Sequence, residues 1–219
     1  MLTKKNRNYI FLALSAFLGL CLEFVLLQVE QRINGLDMSQ VNISQLIHHW
    51  LIIIPVWLII SIVVIFLSKK KSKFNVFEPH ATPSRWMLIL GITLPVLFAV
   101  VLSILNGGPG FIKSYKAFPA AFFSLQYIYY LFEMLLAGLI ISLSQQAVEC
   151  ISGKQTMFPW GGIVLALTWG LGHYITKGDI AIALVALVLG IFFGLIFNWV
   201  GKDLKKAWPL MYLVFSCLA

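Results

Sequence analysis

The sequence is poor in charge. Among 219 residues there are 16 Lys and Arg and 8 Asp and Glu, so that 11% of the chain is charged and 60% is hydrophobic. Its mean hydropathy is +0.92. An average soluble domain carries about 25% charged residues, and a domain of this size buries only roughly 70% of the surface of its chain. The composition therefore excludes a soluble enzyme, a nucleic-acid-binding module and a disordered protein.

Cysteine is also scarce. Cys21, Cys150 and Cys217 are too few and too scattered for a disulfide framework or a zinc site. The sequence contains no phosphate-binding loop, no dinucleotide fingerprint and no Ser-His-Asp order. It therefore gives no reason to expect a metal or a cofactor.

Long apolar runs are what the sequence has instead. A transmembrane helix needs about 17–25 mostly apolar residues. Seven runs approach or exceed this length: 9–28, 50–67, 86–105, 119–145, 159–176, 180–200 and 207–219. The first run follows three basic residues but has no cleavage site of small residues, so we interpret it as a retained signal-anchor. The sequence predicts an all-α, polytopic bundle of about seven transmembrane helices.

The basic residues indicate an orientation for these helices. With the N-terminus inside, the inside segments hold twelve of the 16 basic residues: Lys4, Lys5, Arg7, Lys69, Lys70, Lys71, Lys73, Arg85, Lys154, Lys202, Lys205 and Lys206. The outside segments hold the other four: Arg32, Lys113, Lys116 and Lys177. The bias predicts that the N-terminus lies on the inner side of a cell membrane. We expect this to be a bacterial plasma membrane.

Few titratable side chains fall within the apolar runs. The acids there are Glu23 and Glu133, and the only such histidine is His173; the polar connections hold His48, His49 and His80. A charge at mid-bilayer costs about 2.5–3.5 kcal/mol, so such a residue needs a partner or a purpose. Glu23 is either a second intramembrane partner or a side chain that reaches the outer interface, and we favour the second alternative. Glu133 is then the one deeply placed acid, and His173 is its predicted partner.

A polar stripe surrounds Glu133. Gln126, Tyr129 and Tyr130 precede it by seven, four and three residues, so all four share one helical face. We expect this face to point into the bundle. The alternative is a protonated Glu133 that only locks helix packing.

The surroundings of His173 are aromatic and small. Trp169 lies one turn before it, and Gly170 and Gly172 allow another backbone to approach closely. Taken alone, such a histidine is typical of a membrane-interface belt. Paired with Glu133, it is a candidate for acid–base chemistry. Because Lys177 follows closely on the predicted outer side, the site would open towards the outer leaflet.

Two stretches of the C-terminal half resemble motifs of the CPBP superfamily, the membrane proteins related to CAAX-processing endopeptidases and bacteriocin-immunity proteins. Residues 132–138 read Phe-Glu-Met-Leu-Leu-Ala-Gly, against a family motif of Glu-Glu-x-x-x-Arg followed by Gly. Residues 169–173 read Trp-Gly-Leu-Gly-His, against Phe-x-x-x-His. The glycine-containing run and the basic turn that follow, at 190–206, are similar in order to the family's.

The sequence also departs from those motifs. Phe132 stands in place of the first Glu, unless the register slips by one and Glu133 is itself the first Glu. Ala137 stands in place of the Arg. The last run has no His, and Tyr212 and Ser216 hold the four-residue spacing of the family's His-x-x-x-Asn.

The resemblance implies a CPBP-like membrane core over residues 119–219, after an N-terminal three-helix membrane region over residues 1–118. It also implies Glu133 and His173 as catalytic residues. The polar side chains grouped with them are the expected substrate-binding residues: Gln126, Tyr129, Tyr130, Trp169, Tyr212 and Ser216. Loss of one oxyanion donor costs roughly 10²–10³ in rate, so the missing third motif argues against hydrolysis.

These observations leave three hypotheses open. One branch resembling the superfamily is implicated in bacterial lipoprotein N-acylation, with a separate thiol-hydrolase-like partner protein. The leading hypothesis is such an acyltransferase-type protein, which acts on a lipoprotein or another membrane-anchored peptide and contacts membrane lipids but no nucleic acid. The second is a CAAX-type endopeptidase in which Glu133 activates water and Tyr212 or Ser216 replaces the oxyanion donors. The third is a non-catalytic immunity or scaffold protein.

Overall fold

The computed structural model describes residues 4–34 and 42–218, and within these ranges every regular element is helical. One segment, Ala166–Gly170, is π-helical. The α-helices in the described ranges are α1 (Lys4–Asn34), α2 (Ile43–Ser72), α3 (Arg85–Leu105), α4 (Gly110–Ala117), α5 (Ala120–Ser152), α6 (Trp160–Leu165), α7 (Leu171–Lys177), α8 (Ile180–Trp199) and α9 (Leu204–Leu218).

Five helices in the described ranges are long and apolar enough to cross a membrane, namely α1, α2, α3, α5 and α8. The expectation of an all-helical, multi-pass chain is confirmed at this level. The predicted run at 159–176 corresponds to α6, the π segment and α7, which follow one another without a break. The run at 207–219 corresponds to α9, a helix of 15 residues.

Helix α2 begins earlier than the apolar run predicted. The Asn42 side chain accepts a hydrogen bond from the Gln45 backbone N–H at 2.9 Å, and the Gln45 side chain accepts one from the Asn42 N–H at 3.0 Å. This reciprocal capping box starts the helix at Ile43. The prediction that His48 and His49 lie in a polar connection is therefore wrong, because both lie in the first two turns of α2.

Helix α5 is the centre of the bundle. Helices α1, α2, α6 and α9 pack against it, while α3 packs on α8 and α9. Every residue of α5 from 133 to 145 is buried, whereas the other long helices keep an exposed apolar face. A helix that is apolar and covered on all sides belongs in the interior of a bundle. Glu133 thus lies at one end of the most enclosed stretch of the chain.

Glycines bring the backbone of α6 into direct contact with α5 and α8. A Cβ on Gly161 would lie 2.1 Å from the Ile141 carbonyl oxygen of α5. A Cβ on Gly162 would lie 2.8 Å from the Gly190 carbonyl oxygen and 2.8 Å from the Gly194 Cα of α8. Small residues at such crossings let helices approach closely in lipid. Gly190 and Gly194 of α8 thus form a close helix contact with α6.

The other two glycines singled out in the sequence differ from each other. A Cβ on Gly170 would lie 2.8 Å from the Leu187 Cα of α8, so the expected close approach is confirmed there. Around Gly172 no atom lies within 4 Å of such a Cβ among the described residues, so the expectation is wrong at this position.

Several connections meet at one end of the bundle. The backbone N–H of Ala81, between α2 and α3, donates to the Gly201 carbonyl between α8 and α9 at 3.1 Å. The Gln155 side chain, between α5 and α6, donates to the His80 carbonyl at 3.1 Å. The N-terminal part of α1 lies at the same end, where the Tyr9 and Phe74 rings are 5.5 Å apart. Helix α3 runs from this end for about 30 Å at 1.5 Å per residue, which places α4 at the opposite end.

We expect Gly161→Ala to destabilise the protein. Its Cβ would meet a backbone oxygen that cannot move without breaking α5. Overpacking of this kind costs about 1–3 kcal/mol, and roughly 2–4 °C of unfolding temperature follows per kcal/mol in a chain of this size. Thermal unfolding of the purified protein in detergent measures the change.

Gly172→Ala is the matched control, since it lies in the same continuous helix with open space around it. Alanine is favoured over glycine in a helix by about 0.5–1 kcal/mol. The control is expected to unfold at the wild-type temperature or slightly above. Equal unfolding temperatures for the two variants would contradict the role assigned to the Gly161 contact.

Candidate functional site

Glu133 is buried in α5 and is held by an indole. Its exposed fraction is 6%, and Trp169 Nε1 donates a hydrogen bond to its Oε1 at 2.9 Å. Trp169, also 6% exposed, lies in the π segment between α6 and α7. π-Helical turns occur often at functional sites. The structure therefore gives the deeply placed carboxyl group a direct polar partner on the helix that carries His173.

His173 contacts the same tryptophan from the other side. Its ring lies edge-on to the Trp169 ring with centroids 4.5 Å apart, and its Nδ1 is 2.8 Å from the Trp169 carbonyl oxygen. A carbonyl oxygen only accepts hydrogen bonds, so Nδ1 carries a proton and the neutral ring has its lone pair on Nε2. His173 is half-buried. Trp169 thus joins an enclosed carboxyl group to a more accessible imidazole.

Gln126 and Tyr130 form one branch of the predicted polar stripe. Gln126 Nε2 donates to the Tyr130 hydroxyl at 2.8 Å. The Tyr130 ring meets Phe215 of α9 edge-on at 5.1 Å, and Phe215 lies 5.9 Å from the Trp169 ring. This branch packs beside the indole that contacts Glu133 and His173.

Tyr129 belongs to a different branch, towards α1 and α2. Its hydroxyl donates to Glu23 Oε1 at 2.6 Å. Its ring lies 5.7 Å from Trp50 and 4.9 Å from Trp57. Tyr129 and His49 thus supply polar partners for Glu23 within the bundle.

A buried histidine–carboxylate pair continues this branch. His49 Nδ1 lies 2.7 Å from Glu30 Oε2, and both residues are at most 4% exposed. His49 Nε2 lies 3.6 Å from Glu23 Oε1, so the imidazole stands between two carboxyl groups. Sequence reasoning missed this pair because it placed both residues in a polar connection. The seven-residue spacing of Glu23 and Glu30, which puts both on one face of α1, was the available signal.

Tyr212 and Ser216, the predicted replacements for oxyanion donors, bond to backbone. The Tyr212 hydroxyl donates to the Tyr127 carbonyl at 3.2 Å, and the Ser216 hydroxyl donates to the Tyr212 carbonyl at 2.7 Å. Trp208 Nε1 likewise donates to the Leu131 carbonyl at 3.0 Å. Two of these three bonds hold α9 against α5.

A further buried acid lies at the end of the bundle where the connections meet. Glu149 forms an ion pair with Lys202, and its Oε1 accepts hydrogen bonds from Gln145 Nε2 at 2.8 Å and from the Thr156 N–H at 3.2 Å. Gln145 Oε1 accepts a bond from the Gly161 N–H at 3.0 Å. This group joins α5, the start of α6 and the turn before α9, so we assign it a structural role.

No group of three or more His, Cys, Asp or Glu in residues 4–34 and 42–218 is placed to hold a metal ion. The chemistry that the arrangement offers is proton transfer. An enclosed carboxyl group and an imidazole with a lone pair on Nε2 can take a proton from a nucleophile and return it to a leaving group.

We expect His49→Ala to destabilise the protein strongly. The change leaves the Glu30 carboxyl group buried without the imidazole that lies 2.7 Å from it. Breaking one partner of a buried pair costs about 3–5 kcal/mol. Thermal unfolding in detergent is the measurement.

His48→Ala is its neighbour control. His48 Nδ1 also approaches Glu30, at 3.6 Å, but its side chain is 63% exposed. Loss of such an exposed contact changes stability by about 0.5 kcal/mol or less. Equal losses in the two variants would show that burial of the His49 pair does not matter.

Comparisons of the chain with protein-family models, with curated proteins and with solved structures find no match. The resemblance to the CPBP superfamily therefore stays a prediction that rests on the motifs around Glu133 and His173. Any function has to be argued from the geometry of the site itself.

Proposed function

We propose that the protein is an intramembrane enzyme that transfers an acyl group to the amino terminus of lipid-anchored peptides, as in lipoprotein N-acylation. The observation that carries this proposal is the shared indole of Trp169. The indole Nε1 donates to the Glu133 carboxyl group, while the backbone carbonyl oxygen of Trp169 accepts a hydrogen bond from His173 Nδ1. A carboxyl group and an imidazole thereby contact the same tryptophan within an apolar bundle.

We also propose seven transmembrane segments with the N-terminus inside. Two further segments are added to the five long helices to make seven. They are the continuous helix from α6 to α7, and α9. The basic segments at 69–73 and 202–206 lie at the end of α2 and at the start of α9, where the connections meet, and the contacts of Tyr9 place the start of α1 at the same end of the bundle. Clustering of basic residues on one side supports a cytoplasmic location for that end.

In this orientation the site faces the outer leaflet. His173 is half-buried and lies four residues before the end of α7, whereas Glu133 is 6% exposed and lies 13 residues into α5. A peptide amino group that enters from the outer leaflet therefore meets the half-buried imidazole before the enclosed carboxyl group.

The proposed reaction needs one base and one route for the proton. His173 orients the amine. The amine nitrogen attacks the carbonyl carbon of a lipid ester, and Glu133 takes a proton from that nitrogen. The C–N amide bond forms and the C–O ester bond breaks. The proton passes to the departing alcohol oxygen, so that Glu133 is restored. A thiol-hydrolase-like partner protein is expected to act with this chain.

We expect Glu133→Gln and His173→Ala each to abolish N-terminal acylation of lipoproteins in cells, because each removes a proton-transfer group. Trp169→Phe removes the hydrogen bond to Glu133 and leaves a smaller aromatic ring at the position. Hydrogen bonds to charged groups contribute about 1.5–3 kcal/mol, which corresponds to roughly a tenfold to hundredfold slower reaction. Mass spectrometry of lipoprotein N-termini measures all three variants.

Glu78→Gln and His48→Ala are the matched controls, since both residues are exposed and outside the site. Unchanged acylation in both the Glu133→Gln and the His173→Ala variant would refute the acyl-transfer proposal. A peptide with a newly exposed terminus after incubation with the purified protein would instead support the CAAX-type endopeptidase. Loss of thermal stability with acylation intact would support the non-catalytic immunity or scaffold protein.

The orientation has its own test. Seven segments place the two termini on opposite sides of the membrane, so alkaline phosphatase fused to the C-terminus of the full chain should be active and a fluorescent protein fused there should be dark. The same reporters at the N-terminus should behave in the opposite way. Termini on the same side would contradict the seven-segment topology.

A further inference from the structure

An apolar groove lies on the side of α9 that faces away from Trp169. It is bounded by α3, the following turn, α4 and α9, and its volume is about 560 Å³. Its lining includes Val96, Val100, Ile104, Phe111 and Leu213. From Val96 to Ile104 the groove follows α3 for about 12 Å at 1.5 Å per residue. Such a groove has the shape and chemistry for a hydrocarbon chain.

A second, more polar cavity adjoins the groove at the end of the bundle where α4 lies. Its volume is about 350 Å³, and its lining includes Asn106, Lys113 and Ser114. Cys217 lines both cavities, so they lie side by side, and the depression that they form together changes from apolar to polar along its length. A depression with this lining fits a molecule that has an apolar tail and a polar head.

The polar cavity is cationic. The Lys113 ammonium group donates to the Asn106 carbonyl oxygen, which holds it beside the cavity. An ammonium group has three N–H bonds, so two are left for a further acceptor. The N-terminus of α4 begins at the same place, and among the described residues no side chain caps it. Its N–H groups and helix dipole also favour an anion.

The short helix α4 has the features of a helix that lies at the membrane surface. Its residues Phe111, Ile112 and Tyr115 are exposed apolar or aromatic side chains, while Lys113 and Lys116 are basic. Amphipathic helices of this kind sit at the level of the lipid headgroups. The cationic cavity is thus at headgroup depth, and the apolar groove runs from it towards the bilayer centre.

We propose that this depression binds one anionic phospholipid, with the phosphate at Lys113 and an acyl chain in the groove along α3. The inference goes beyond the proposed function and does not depend on it. Helix α9 separates this depression from the Glu133 site. Leu213 and Cys217 face the groove, whereas Phe215 contacts the Trp169 ring.

Lipid binding to the purified full-length protein tests the headgroup contact. Native mass spectrometry with phosphatidylglycerol measures affinity, and phosphatidylcholine serves as the zwitterionic comparison. One basic residue near an anionic headgroup contributes about a fivefold change in binding. Lys113→Gln is therefore expected to weaken phosphatidylglycerol binding about fivefold. Lys116→Gln removes the same charge from the same helix but lies outside the cavity lining, so it should leave binding near wild type.

A matched pair of variants tests the acyl-chain contact. Val100 lines the groove and Val101 does not, although both are exposed residues of α3. Val100→Trp fills the groove and is expected to weaken phosphatidylglycerol binding at least tenfold, whereas Val101→Trp should leave it unchanged.

Three outcomes would overturn the proposal. Equal losses for Lys113→Gln and Lys116→Gln would show general attraction of lipid to a basic helix. Equal losses for the two tryptophan variants would show that the groove holds no acyl chain. Competition by soluble glycerol phosphate as strong as that by the lipid would identify the ligand as a free phosphate and not a phospholipid.

Discussion

The direct backbone contact between α6 and its neighbours is the constraint on which the site depends. In lipid there is little hydrophobic force between helices, so close packing of small residues has to hold them together. Gly161 meets Ile141 of α5, and Gly162 meets Gly190 of α8. These contacts fix the continuous helix that begins at α6, and with it the position of Trp169 beside Glu133.

Burial of charge sets the second constraint. Each deeply buried glutamate has a partner on another segment: Glu30 with His49, Glu133 with Trp169 and Glu149 with Lys202. An unpaired charge in this environment is costly, so each pair also ties two parts of the chain together. The Glu133 group differs from the other two in kind. Its partner is the neutral indole of Trp169, and the ring of the half-buried His173 lies edge-on to that indole.

Helix α9 separates two regions of different chemistry. On one side its Phe215 packs against the aromatic rings around the Glu133 site. On the other side it lines an apolar groove that ends in a cationic cavity. Its own hydroxyl groups are bonded to backbone carbonyls. This supports a role for α9 as a wall of the site rather than as a source of oxyanion donors.

The sequence by itself determined the helical, membrane-type architecture, because runs of apolar residues and the scarcity of charge leave no other way to satisfy the backbone. It also singled out Glu133 and His173 as candidates, since titratable groups are rare within apolar runs. Only the tertiary structure decided that Trp169 contacts both residues, that Tyr129 turns away to Glu23, and that His49 is buried. These outcomes depend on where helices cross and where a capping box starts a helix, and neither follows from the hydropathy of a run.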